Sequence, residues 1–231
     1  MIYKDWEPIY EKIANDFNFQ IENDKKSAEV LNKLLKKKYL FTVKELEEMI
    51  TDKEIVIFGA GPSLENSILT HKNKIINKIK ISVNGATSAL LKNKIFPDII
   101  VTDLDGDVFD QIIANSNGSV IIIHAHGDNI AEIKKYVPKF KKNIIGSTQI
   151  NPSQYENIHN FGGFTDGDRA VFIASHFKAK KIHLIGFDFD GRIGKYSYPI
   201  NKNKKLKMKK LRWCKHLIGL LMQKNQKITY L

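Results

Sequence analysis

Ile55-Val56-Ile57-Phe58, running into Gly59-Ala60-Gly61-Pro62-Ser63-Leu64, is the stretch whose reading decides the fold. Four consecutive apolar residues, mostly β-branched, describe a strand covered on both faces rather than one with a wet side. The glycines permit a tight turn, and Pro62 and Ser63 suit the first turn of a helix. Strand, glycine turn and helix together make the opening unit of a parallel sheet.

Outward from there the same texture repeats. Apolar runs follow at Ile79 to Val83, Ile99-Ile100-Val101, Val120-Ile121-Ile122-Ile123, Ile144-Ile145 and Ile182-His183-Leu184-Ile185. Helix-length segments separate or follow them, near residues 63–77, 85–93, 107–116, 128–136, 166–178 and 204–223. This alternation predicts an α/β domain, a doubly wound and mostly parallel sheet, over residues 51–231. Residues 1–50 read as an N-terminal helical appendage. Trp6, Ile9, Ile13 and Phe17, then Val30, Leu31, Leu34 and Leu35, recur at three- and four-residue intervals. Thr42 with Glu45 forms a capping box for a short helix through Met49.

In doubly wound sheets, ligands bind beyond the carboxyl ends of the strands. In this chain those ends are unusually polar: Gly59 to Leu64, Asn84-Gly85, Thr102-Asp103-Leu104-Asp105-Gly106-Asp107, His124-Ala125-His126-Gly127-Asp128-Asn129 and Gly186-Phe187-Asp188-Phe189-Asp190-Gly191-Arg192. A parallel sheet carries all of them to one edge, so a shared site is expected there.

Each segment suggests its own chemistry. Free N–H groups around Gly59, Gly61, Pro62 and Ser63 suit an anion, or else serve only a tight turn. A dinucleotide fingerprint would need glycine where Leu64 stands and an acid where Asn84 stands, so a nicotinamide or flavin dinucleotide is not expected. Asp103 and Asp105, if extended, face the same way while Leu104 points inward. Carboxylates so placed suit Mg²⁺, which completes its shell with water and phosphate oxygens, although they also suit a helix cap, a role that fits Asp107 better. His124 and His126 read as groups lining a cleft, in preference to a zinc pair short of ligands. Asp128 is the expected cap or supporting acid of the next helix. Thr165 or Asp166 caps another, leaving Asp166, Asp168 and Arg169 to reach nucleotide or metal. Asp188, Asp190 and Arg192 offer two further acids, for a second ion, and a guanidinium for phosphate oxygens.

Composition narrows the partners. The 231 residues carry a net charge of +12, almost all of the basic residues being Lys, with Arg only at Arg169, Arg192 and Arg212. The tract Lys202, Lys204, Lys205, Lys207, Lys209, Lys210, Arg212 and Lys215 is read first as a solvated helix face, and second as a lysine gate over triphosphate. Cys214 is the single cysteine, which excludes an internal disulfide and a Cys-rich zinc site. With no apolar run of membrane length and no secretory leader pattern, a soluble, cytoplasmic protein is expected. Aromatics mostly occupy apolar-periodic positions and not a basic platform, so nucleic acid is not an expected partner.

Asn84-Gly85-Ala86, then Phe96-Pro97-Asp98-Ile99-Ile100-Val101-Thr102-Asp103-Leu104-Asp105, resembles the thiamin pyrophosphokinase pattern. Thr165-Asp166 with Ala170, Lys181 to Gly186, and Gly191-Arg192 continue it in order. With Gly59 to Leu64 and His124 to Asn129 included, the chain resembles more closely the archaeal 6-hydroxymethyl-7,8-dihydropterin pyrophosphokinase family. That resemblance implies a Rossmann-like fold and a homodimer. It also implies Mg²⁺-dependent transfer of diphosphate from ATP to a pterin alcohol, with AMP released, in methanopterin- or folate-type cofactor synthesis. Asp103, Asp105, Asp166, Arg169 and Arg192 are the expected catalytic residues, with Asp103, Asp105 and Asp190 on metal. Gly59, Gly61, Pro62, Ser63, Asn84, Gly85, Thr102, His124, His126, Gly127, Asp128, Asn129, Gly186 and Asp188 are the expected nucleotide or substrate contacts. Gly106-Asp107 replaces the serine usual after the second acid in thiamin enzymes, and those enzymes lack the Gly-Pro-Ser loop. Sugar-nucleotide glycosyl transfer, known from sialyltransferase-like relatives of the glycine loop, is the alternative chemistry.

Overall fold

A computed structural model describes residues 3–197, 204–224 and 226–231. Lys202 of the basic tract lies outside the described residues. Helices α1 (Tyr3–Phe17), α2 (Ile21–Leu35) and α3 (Val43–Ile50) precede strand β1 (Glu54–Phe58). Then come α4 (Leu64–Thr70), α5 (Lys72–Ile75), β2 (Ile79–Val83), α6 (Ala86–Lys92), β3 (Ile99–Thr102), α7 (Val108–Ser116) and β4 (Val120–Ala125). Helix α8 (Ile130–Tyr136), β5 (Ile144–Thr148), β6 (Ile158–His159), α9 (Asp166–His176), β7 (Lys181–Ile185), α10 (Lys204–Gln223) and β8 (Ile228–Tyr230) complete the order.

The strands form one eight-stranded sheet in the order β6-β5-β4-β3-β2-β1-β7-β8, and every neighbouring pair is parallel. This is the α/β sheet the apolar runs predict, extended by β6 and β8. From β1 the chain steps outward strand by strand to β6, then returns to lay β7 against the other side of β1. The direction of winding reverses between β1 and β7, the point at which doubly wound sheets commonly open a crevice, but here the loops after the two strands are held together by backbone hydrogen bonds. The β1 run Ile55, Val56, Ile57 and Phe58 is fully buried, as an inner strand with helices on both faces requires.

The N-terminal helices join the same core as the sheet. Trp6, Tyr10, Ile13, Leu31 and Leu35 are buried in one apolar cluster with β3, β4, β5 and α9 residues. Trp6 meets Phe172 of α9 edge-on at 5.8 Å, and its Nε1–H donates to the Gln149 carbonyl at 2.9 Å. Thr42 and Glu45 form the capping box their spacing predicts, each side chain accepting from the other's backbone N–H. Trp6→Ala is expected to cost about 3–5 kcal/mol, the usual range for emptying a large aromatic site in a core. Chemical denaturation measures it; a loss below about 1 kcal/mol would mean that α1 packs only loosely on the sheet.

Candidate active site

The strand ends come together as the parallel order demands, but the loops beyond them are bent in ways a periodic reading does not reveal. Asn84 and Leu104 both have positive φ, +44° and +69°. Leu104 is therefore not extended, and Asp103 and Asp105 do not share a face by strand alternation. The expectation of two parallel carboxylates is corrected: the chain turns at Asp103, whose Oδ1 accepts the Asp105 N–H at 3.2 Å. A left-handed backbone is costly for leucine. Burial of the Leu104 side chain and the Thr102 hydroxyl, which accepts its N–H at 2.8 Å, offset that cost. Asp105 Oδ1 accepts the Gly106 N–H, and Gln111 Nε2 holds the Asp105 carbonyl at 3.0 Å.

Asp103 is the hub of the edge. Asn84 Nδ2 donates both to its Oδ1, at 3.1 Å, and to Asp166 Oδ2, at 2.9 Å, and so bridges the loops of β2 and β3 to α9. His126 Nε2 lies 3.3 Å from Asp103 Oδ2, while its Nδ1 lies 2.6 Å from Asp128 Oδ1. Arg169 pairs with Asp166 and donates to the Phe164 carbonyl at 2.8 Å. Asp103, Asn84, His126, Asp128, Asp166 and Arg169 thus form one connected polar group drawn from four segments.

The electrostatics are those of crowded anions partly neutralised. Burial, and then the negative charge of Asp103, push the Asp166 carboxyl up to about 6 against the pull of Arg169. Burial works against a charged His126, but the carboxylates of Asp103 and Asp128 outweigh it and raise the imidazole to about 9. His124 goes the other way: burial, with Arg169 nearby, holds it well below the ordinary range, and its Nδ1 meets the Ser147 hydroxyl at 3.1 Å. His124 is sealed inside and His126 faces the edge, as their positions in and just after β4 require.

Several expected contacts take other roles. The Ser63 N–H and hydroxyl, expected to meet phosphate, both donate to Asp188 Oδ2, at 3.0 and 2.9 Å. Asp188 therefore stands where an anion would be cradled. The β1 and β7 loops are also joined by Gly59 N–H to the Ile185 carbonyl and Gly61 N–H to the Gly186 carbonyl. A Cβ on Gly61 would lie 2.2 Å from Asp188 Oδ2 and 2.6 Å from the Gly186 carbonyl oxygen. Close loop packing is thus sufficient reason for that glycine. Gly61→Ala is expected to destabilise by about 1–3 kcal/mol, as overpacking does; an unchanged denaturation midpoint would contradict the clash.

Asp128 is not the helix cap. Asn129 precedes α8, and Asp128 instead faces His126. The Asn129 amide serves the loop itself, Nδ2 reaching the carbonyls of Asp103 at 3.0 Å and His124 at 2.7 Å. Asp107 caps α7, as expected, by accepting the Phe109 N–H. Asp168 turns inward to accept from the Phe164 and Thr165 backbone at the start of α9. Asp190 and Arg192 pair with each other on an exposed stretch, at 2.6 Å. Lys209 meets Asp16, Lys207 meets Ser197, and Lys210 lies 6.0 Å from the Phe164 ring centre.

Among the described residues, no three His, Cys, Asp or Glu side chains gather closely enough to enclose a metal. Mg²⁺ does not need such a cage, since one or two carboxylates plus water and phosphate oxygens suffice. The donor set fits that mode. The negative charge of Asp103 works against a charged Asp166, which a cation would relieve. The Oδ1 of Asn84, whose Nδ2 bridges the two acids, is buried without a protein partner among the described residues. Arg169 Nε is likewise an unpartnered donor. The described helices include none long and apolar enough to cross a membrane.

The protein is a doubly wound parallel α/β sheet with acids, an amide, a histidine and an arginine meeting over its strand ends. The chain belongs to the 6-hydroxymethylpterin diphosphokinase MptE-like family, whose model matches residues 25–194. It is 48% identical to a 6-hydroxymethyl-7,8-dihydropterin pyrophosphokinase of Methanocaldococcus jannaschii, over 97% of both chains. Proteins of the same description from Pyrococcus furiosus and Methanothermobacter thermautotrophicus are 40% and 42% identical, over 96% and 84% of this chain and 94% and 82% of their own. A glycosyltransferase structure from Magnetospirillum magneticum aligns at 13% identity over 86% of this chain and 34% of its own, with a TM-score of 0.46, too slight a likeness to argue from.

Proposed function

We propose that this chain is a 6-hydroxymethyl-7,8-dihydropterin diphosphokinase, transferring diphosphate from ATP to the pterin's hydroxymethyl oxygen and releasing AMP. The observation that carries this reading is the 48% identity, over nearly the whole of both chains, to a relative of that description. The geometry agrees with it. Transfer of this kind asks a protein for positioning and charge stabilisation more than for covalent chemistry.

Asp103, with Asp105 or Asp166 beside it, would hold Mg²⁺, which when bound neutralises phosphate charge and fixes the attacked group. Asn84 holds Asp103 and Asp166 in fixed relation. Arg169 and the His126 imidazolium supply positive charge beside the acids, suited to phosphate oxygens. The zipped β1 and β7 loops place Asp188 at Ser63. In this reading Asp188 orients the glycine turn, and nucleotide contact falls to atoms around Asn84, Gly85 and His126. Asp190 and Arg192, bound to each other, remain candidates for the outer phosphates. The protein works in the cytoplasm as a homodimer in this account.

An acceptor panel tests the assignment: ATP and Mg²⁺ with 6-hydroxymethyl-7,8-dihydropterin or thiamin, and separately a sugar nucleotide with glycosyl acceptors. ATP consumption with the dihydropterin alone is the expected result. Sugar transfer from the nucleotide, or preference for thiamin, would replace the reading with one of its alternatives.

A further inference from the structure

Behind the edge lies a buried carboxylate that the proposed chemistry does not use. Asp24 of α2 is 3% exposed and has neutral donors around it. The Tyr10 hydroxyl donates to its Oδ2, Gln149 Nε2 donates to the same oxygen at 3.1 Å, and the Gly127 N–H donates to Oδ1 at 2.7 Å. A buried carboxylate is expensive unless its oxygens are satisfied, and once satisfied it becomes a rigid anchor. Its contact with Gly127 is close: a Cβ there would stand 2.9 Å from the Asn23 side chain, so α2 lies directly against the His126–Asp128 turn.

One helical turn along α2, Ser27 makes the second tie. Its hydroxyl donates to Asn129 Oδ1 at 3.0 Å, and the same oxygen accepts the His126 N–H at 3.1 Å. The other end of that amide holds the carbonyls of Asp103 and His124. Two ties from one face of α2 therefore fix the backbone on both sides of His126, and one passes through Asn129 to the backbone of Asp103 itself. Trp6 and Tyr10 of α1 back the arrangement through Gln149.

We infer that the N-terminal helices are part of the working site: Asp24, together with Ser27 and Asn129, is a positioning residue that sets the His126–Asp103 pair. This rests on the proposed diphosphokinase reading only for its activity readout. The anchor acts through two backbone segments and touches no substrate. Its loss loosens the turn carrying His126, whose imidazole then no longer holds its place at Asp103.

The test uses the full-length protein. Asp24→Ala removes both acceptors, whereas Asp24→Asn keeps an oxygen for the Gly127 N–H. Amide hydrogen exchange over residues 126–129 is expected to speed up roughly tenfold or more in Asp24→Ala, and to return most of the way in Asp24→Asn. The kcat for AMP formation should fall in Asp24→Ala with less change in KM for ATP. In the double variant with His126→Ala it should fall no further than in His126→Ala alone, because the two act as one unit. Should Asp24→Ala not fold, Ser27→Ala carries the same two readouts with smaller changes. Parent-like exchange in the folded variant, or losses that multiply with His126→Ala, would overturn the inference. A parent protein that makes no AMP would defeat the diphosphokinase reading alone, with exchange still deciding the anchor.

Discussion

Asp103→Ala is expected to lower kcat/KM for AMP formation by about 10²–10³-fold or more, the loss typical when a preorganised electrostatic partner of the transition state is removed. Asp103 meets Asn84, the Asp105 amide and His126 together. Its carboxylate also adds to the negative charge around Asp166. Asp103→Asn, nearly identical in shape, should lose almost as much, because the proposed metal–phosphate role rests on charge rather than volume. The fold should survive both changes. The Asp103 carbonyl stays held by Asn129, and a partly exposed side chain contributes little to the core. Steady-state kinetics with a thermal melt on each variant makes the comparison; near-parent turnover in Asp103→Asn would remove Asp103 from the metal–phosphate role.

Arg169→Ala should have the largest effect on stability at the edge, about 3–5 kcal/mol, as when one partner of a buried ion pair is deleted. Arg169 is 3% exposed and pairs with a buried Asp166 already pushed up by its surroundings. Without the guanidinium, that carboxylate would face Asp103 with Asn84 as its remaining named donor, and the Phe164 carbonyl would lose its partner. Arg169→Lys should recover only part of the loss, because an ammonium cannot fork to Asp166 and Phe164 at once in the same plane. Urea denaturation at neutral pH measures both. A cost under about 1 kcal/mol for Arg169→Ala would mean that water replaces the pair readily.

How legible the molecule was in its sequence depends on how local the physics is. The apolar runs of β1 to β5 and β7 follow from burial on both faces, and the capping box at Thr42 and the cap at Asp107 follow from short-range hydrogen bonding. β6, two residues long, and β8, three residues long, carry too little pattern to be read and form because the sheet offers each an edge. At the site, parallel topology was enough to bring Asn84, Asp103, His126 and Asp166 together. It was not enough to show the left-handed turn at Leu104, which depends on burying that side chain, or the capture of Ser63 by Asp188, 125 residues away in sequence. Asp24 gave no signal at all. In the sequence it is one acid among polar residues on an amphipathic helix, and only the packing of α2 against α1, the β4 loop and the residue after β5 gives it three donors, Tyr10, Gly127 and Gln149.

The most direct test of the account is the phosphorus balance of one reaction. With ATP, Mg²⁺ and 6-hydroxymethyl-7,8-dihydropterin, ³¹P NMR of the product mixture should show AMP and a pterin diphosphate in equal amounts, with neither formed when the divalent cation is chelated. Accumulation of ADP with a pterin monophosphate, or ATP left intact beside a folded protein, would contradict it.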